Sequence, residues 1–127
     1  MGDRVLIQLE QHPTYGQIVS PVLYMHWGGN LVPKLIVDWY HYMEGRRGDM
    51  FYAFARLTGI AHEMVSGNLS LGVWQTGYAI DGEDSHGDAG VFRIHVQEET
   101  IYMGGGYGVN GFRESVRPLP EVFEELR

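Results

Sequence analysis

"SPVLYMHWGGNLVPKL" (residues 20–35) is where the chain changes period. Up to Trp27 the side chains alternate, with Val22, Tyr24 and His26 on one face and Leu23, Met25 and Trp27 on the other, the period of a strand. From Asn30 onward Leu31, Leu35, Trp39 and Met43 recur every four positions, the spacing of an amphipathic helix. Between them lies Gly28-Gly29-Asn30, a turn without side chains followed by a good helix cap. A strand that turns directly into a helix points to a mixed fold. It also predicts Trp27 buried under the helix layer beside Leu23 and Met25, with His26 on the opposite face.

Working outward, "RVLIQLE" (4–10) alternates in the same way and reads as a half-buried strand, antiparallel to the second through the turn residues "HPTYGQ" (12–17). The helix from about 31 to 44 ends at Gly45. "RRGD" is a connector with Asp49 as the next cap, and Met50, Phe54, Leu57, Ala61 and Met64 mark a second helix to about 65. Alternation returns over 69–74, then gives way to a polar, glycine-rich loop over 75–90. "VFRIHVQ" and "TIYMG" read as a hairpin around Glu98 and Glu99, "GGGYGVNG" (104–111) as a flexible loop, and "LPEVFEELR" as a terminal helical turn. The order ββααβββ predicts one α+β domain over 1–127, a mainly antiparallel sheet with a helix pair on one face. Eight tyrosines and three tryptophans are a large aromatic load for a sheet covered on one side, which predicts a homo-oligomer, most simply a two-fold dimer.

The chain has 127 residues, no cysteine and a net charge of −7. Disulfides, thiolate metal sites and a cysteine nucleophile are therefore excluded, and the acidic balance argues against general nucleic-acid binding. No apolar run approaches the roughly 20 residues of a membrane span, and the first residues do not read as a signal peptide, so a cytoplasmic protein is expected. Lys34 is the single lysine. Positive charge carried by arginine suits fixed recognition of a small anion.

Several motif-like stretches dissolve on inspection. Gly106, Gly108 and Gly111 match G-x-G-x-x-G, but too little chain follows for a dinucleotide fold. Asp81, Glu83, Asp84, His86 and Asp88 are dense in carboxylates, yet His86 stands where a calcium loop needs glycine, and a solvated acidic loop is the simpler reading. The six histidines show no zinc spacing, and neither a metal nor a cofactor is assigned. His95 shares a polar strand face with Arg93: a wet surface, an oligomer seam or a site wall. Arg56 is the one formal charge between Asp49 and Glu63, so it reaches outward, meets a carboxylate, or waits for an anion.

The turn itself is the most site-like stretch. Helix N-termini present free N–H donors to anions. Trp27 and Trp74 offer stacking surfaces, and His26 a polar handle. The predicted ligand-binding set is His26, Trp27, Gly28, Gly29, Asn30, Arg56 and Trp74, for a small, anionic, nucleotide-like ligand.

"MGDR", "YMHWGG", "RRGDMFYAFARLTG", "NLSLG" and "DAGV" together resemble a family of small phage and bacterial proteins with an M-G-x-R start and a Y-x-H-W-G-G motif. The likeness spans most of residues 1–92. It implies no particular activity, adds weight to His26, Trp27, Gly28, Gly29, Asp49 and Arg56, and implies a phage or prophage setting. The leading functional expectation is a ligand-binding protein that sequesters a nucleotide-derived immune signal, an anti-defence sponge. A structural or protein-interaction module is one alternative, and a metal-assisted hydrolase using His26, His86 and Asp88 is another.

Overall fold

A computed structural model describes residues 3–12, 17–65, 70–85, 88–106 and 115–126. His86, together with Gly108 and Gly111 of the glycine-rich loop, lies outside them. The elements are β1 (Val5–Gln11), β2 (Ile18–Met25), a 3-10 turn (Gly29–Leu31), α1 (Val32–Tyr42), α2 (Met50–Met64) and β3 (Leu71–Trp74). A second 3-10 turn (Gly82–Asp84), β4 (Gly90–His95), β5 (Thr100–Gly104), β6 (Ser115–Pro118) and α3 (Leu119–Leu126) follow. The six strands form one sheet in the order β3-β2-β1-β4-β5-β6. All neighbours are antiparallel except the central pair, where β1 runs parallel to β4 with Val5 opposite Gly90 and Glu10 opposite His95.

The α+β reading holds, with the helix pair on one sheet face. Val32, Leu35, Ile36 and Trp39 of α1 and Met50, Ala53, Leu57 and Ala61 of α2 share a core with Ile7, Leu9, Leu23 and Met25. Trp39 is fully buried and donates its Nε1–H to Ala53 O at 2.9 Å, tying the two helices. The chain end adds more than a turn. β6 extends the sheet, and α3 brings Leu119 and Val122 into the same core and stacks Phe123 on Tyr40 at 4.4 Å.

β1 is buried on both faces, not one. Leu6, Gln8 and Glu10 are buried like Val5, Ile7 and Leu9: the 75–85 segment folds over Leu6 and Gln8, while Glu10 meets Gln17 and Arg93. Ile80 packs there with Leu6, Val22, Val91 and Tyr102. Cover that the sequence reading sought in a second copy is thus partly supplied by the chain itself.

Two local expectations need correction. β2 ends at Met25, and Trp27 is 51% exposed instead of buried beside Leu23 and Met25. The cause is Gly28, whose backbone folds so closely onto Met25 that a Cβ there would lie 2.3 Å from its side chain. The turn itself fills the space that strict alternation gave to the indole. Asn30 is also not the cap of α1: it sits within the 3-10 turn, and Leu31 precedes the helix with no side-chain cap bond.

Candidate functional site

The turn between β2 and α1 is built around Asp3. Gly29 donates its N–H to Asp3 O at 2.8 Å, Asn30 donates its N–H to Asp3 Oδ2 at 2.6 Å, and Leu31 bonds back to Gly28 O at 2.9 Å. Of the donors expected to await an anion, the Asn30 N–H already holds one, the Asp3 carboxylate, and the Gly29 N–H is taken by the Asp3 backbone carbonyl. Gly29 is required for that approach, since a Cβ would stand 2.3 Å from Asp3 Oδ1 and 2.4 Å from the Ala89 methyl.

Next to it, Arg4 and Asp88 are joined twice: Arg4 Nε donates to Asp88 Oδ2 at 2.7 Å and its backbone N–H reaches the same oxygen at 3.1 Å. These bonds hold the Asp88 carboxyl below, and the Arg4 guanidinium above, their ordinary ranges. Asp88 is thereby committed to Arg4. The hydrolase alternative set it beside His26 or His86 as general base; the His26 Nδ1 lies 2.6 Å from the Tyr24 hydroxyl, and His86 lies outside the described residues.

Under the turn, on the helix side of the sheet, lies a cavity of about 270 Å³. Its walls are apolar, from Val32, Ile36, Phe92, Met103 and Val122, and its polar lining includes Asp3, Asn30 and Asp88. With the Asp88 charge paired to Arg4, the Asp3 carboxylate is the lining charge that favours N–H donors and disfavours phosphate.

On the other side runs a row of rings. Trp74 packs on Tyr24 with centroids 5.5 Å apart, Tyr24 lies 6.1 Å from His26, and His26 meets Trp27 edge-on at 4.8 Å. Strand alternation puts Tyr24 and His26 on this face, and Trp74 joins from β3, where it stands opposite Val22. The two indoles at its ends are 51% and 42% exposed.

Of the predicted set, Gly29 and Asn30 line the cavity, Gly28 supports the turn, and His26, Trp27 and Trp74 form the row. Arg56 joins neither. It is exposed on α2, its guanidinium 4.6 Å above the Tyr42 ring in a groove between α1 and α2, and no carboxylate bonds it among the described residues. Reaching outward from an apolar helix proves the cheapest arrangement for a lone guanidinium. Asp3, Arg4 and Tyr24 are the members that sequence reasoning missed. Tyr24 was legible from its face-sharing with His26, whereas Asp3 and Arg4 come to the turn only through the β1–β2 register, which spacing does not give.

Comparison with known proteins finds no matching family model, no matching curated protein and no matching solved structure.

Proposed function

We propose that this chain is a small-molecule binding protein whose ligand carries one flat heterocyclic ring system of the nucleobase type. The observation that carries the reading is the apolar cavity beneath the β2–α1 turn, with Asp3 and Asp88 as its charged lining. Ligand pockets for drug-sized molecules span about 300–1,000 Å³. At about 270 Å³ this cavity suits a single base or nucleoside, not a whole dinucleotide. Carboxylates accept from the N–H edges of bases; Asp3 borders the cavity as such an acceptor, and Asp88, already bonded to Arg4 through Oδ2, has its Oδ1 left to add a second. A phosphate would have to displace Asp3, so of the nucleotide-like ligand expected from the sequence, the base is what this site favours. Sequestration, in the phage setting implied by the resemblance, is the biological form of this reading.

The exposed indoles favour a second reading, in which a base stacks on Trp27 or Trp74 at about 1–3 kcal/mol per contact. Thermal-shift and calorimetric titrations with bases, nucleosides and nucleotides separate the two. Ala89→Leu narrows the cavity and is expected to abolish binding while Trp74→Ala leaves it intact; the reverse pattern selects the stacking row. Recovery of the ligand unchanged is expected of a sequestering protein. Failure of every base-bearing ligand to bind would leave the interaction module as the better account.

A further inference from the structure

We propose that Glu10, His12 and His95 form a binding site for a divalent first-row transition metal of the zinc class, apart from the cavity under the β2–α1 turn. Sequence spacing assigned no such site, because its ligands come from two strands. Glu10 on β1 stands opposite His95 on β4 in the parallel register. His12 follows Glu10 by two residues and returns to the same side, its backbone N–H held by Gln97 Oε1 at 3.1 Å. The His12 and His95 rings meet edge-on at 4.6 Å, and one ligand atom from each of the three residues lies within 4.8 Å of the others.

The independent sign of a missing partner is His95. It is 4% exposed, yet its Nε2 is buried with no hydrogen-bond partner among the described residues. Buried polar atoms are rarely left so. Glu10 is fixed as a ligand should be: Gln17 Nε2 donates to its Oε2 at 2.8 Å, and Arg93 Nε stands 2.8 Å from the same oxygen. The Arg93 contact is an ion pair whose N–H is not aimed at the carboxylate, and among the described residues that Nε has no hydrogen-bond acceptor. Both contacts fall on one oxygen, which leaves Oε1 to face a cation.

Two imidazoles and one carboxylate, with no thiolate, are the donor set of three-ligand zinc sites that keep an open position. Such ligands sit about 3.3 Å apart around zinc, so the cluster must contract by about 1 Å or more from its present span. His12 is exposed at the end of β1 and is the residue placed to move. One contact opposes loading. Glu98 donates its N–H to His95 Nδ1 at 3.1 Å, which places the ring proton on Nε2. Ligation through Nε2 requires that proton to shift to Nδ1, and the Glu98 N–H then gives up its acceptor. Metal ligands normally donate through their second nitrogen, so this exchange, together with the nearby Arg93 charge, sets the affinity below that of a preformed site.

Untagged, chelator-stripped protein titrated with Zn²⁺ and Co²⁺ tests the site. One equivalent is expected to bind by calorimetry, Co²⁺ to develop visible absorption, and the Glu98 amide to lose hydrogen-exchange protection on loading. His12→Ala, an exposed change that spares the core, is expected to weaken binding at least tenfold, whereas His41→Ala on α1 leaves it unchanged. Absence of binding at about 100 μM metal, or His12→Ala binding as tightly as the parent, overturns the proposal.

Discussion

The carboxylate of Asp3 accepts the backbone N–H of Asn30 at 2.6 Å, which makes Asp3 the resident anion of the β2–α1 turn. A capping carboxylate at a helix start is worth about 0.5–2 kcal/mol, and its charge meets the positive end of α1. Asp3→Ala is therefore expected to lower unfolding free energy by about 1 kcal/mol and to leave the turn open to a replacement anion. Urea titrations with and without phosphate check both effects. Phosphate should rescue the variant and do little for the parent; equal stabilisation of the two would remove Asp3 from this role.

Gly90 begins β4 with φ +92°, and a Cβ there would lie 2.5 Å from Gly104 O and 2.7 Å from Gly106 N. Both obstacles are backbone and cannot rotate away. Strain at positive φ costs about 1–3 kcal/mol, and overpacking a similar amount. Gly90→Ala is expected to destabilise by about 3 kcal/mol or more, measured by denaturant unfolding. A loss below about 1 kcal/mol would show that the start of β4 relaxes freely.

Gln8 fastens the covering segment to the sheet. Its Nε2 donates to Ser20 O at 3.1 Å and Tyr78 O at 3.0 Å, and its Oε1 accepts the N–H of Ile80 at 2.9 Å. A buried polar group left without its partner costs about 1–3 kcal/mol. Gln8→Leu is expected to destabilise by about 2–4 kcal/mol and to speed amide exchange at Ile80 more than in α2. Uniform loss of protection would mean that the segment and the core open together.

How far the sequence carries can be traced along these residues. The helices were legible because Leu35, Trp39, Leu57 and Ala61 repeat at helical spacing, and repetition reports one buried face directly. β1 was legible as a strand, but its second buried face was not. Gln8 looks like a solvent-facing residue until the 75–85 segment, which has no period of its own, is folded over it. The last strand was missed for a related reason: β6 has four residues, too few to show alternation, and its Val116 is exposed. At the site, the glycines pointed correctly to a close approach at the turn. What approaches is set by register, since Asp3 reaches Asn30 only because Val5 pairs with Met25. The metal-ligand cluster was hidden in the same way. Glu10 and His95 are separated along the chain by two helices and two strands, and only the parallel pairing sets them side by side.

Acid stability follows from the direction in which two carboxyls are held. Bonds from Arg4 hold Asp88 below its ordinary value of 3.8, and bonds from Arg117 hold Glu125 below its ordinary value of 4.5. A carboxyl that binds its proton less readily when folded than when unfolded contributes stability that is complete above its unfolded value. That contribution is lost as pH falls through the lower, folded value. Stability is therefore expected to be insensitive to these two groups from neutrality down to about pH 5, and to decline as the solution is acidified further. Asp88→Asn should remove one share of that decline and Glu125→Gln the other. The two effects should add, because one pair joins the start of β1 to the segment before β4 while the other joins β6 to α3. Both pairs lie near the surface, so each share is modest and is reduced by salt. Urea midpoints measured from pH 3 to pH 7 at two ionic strengths check the prediction. An acid slope unchanged in the double variant would assign the decline to other carboxyls.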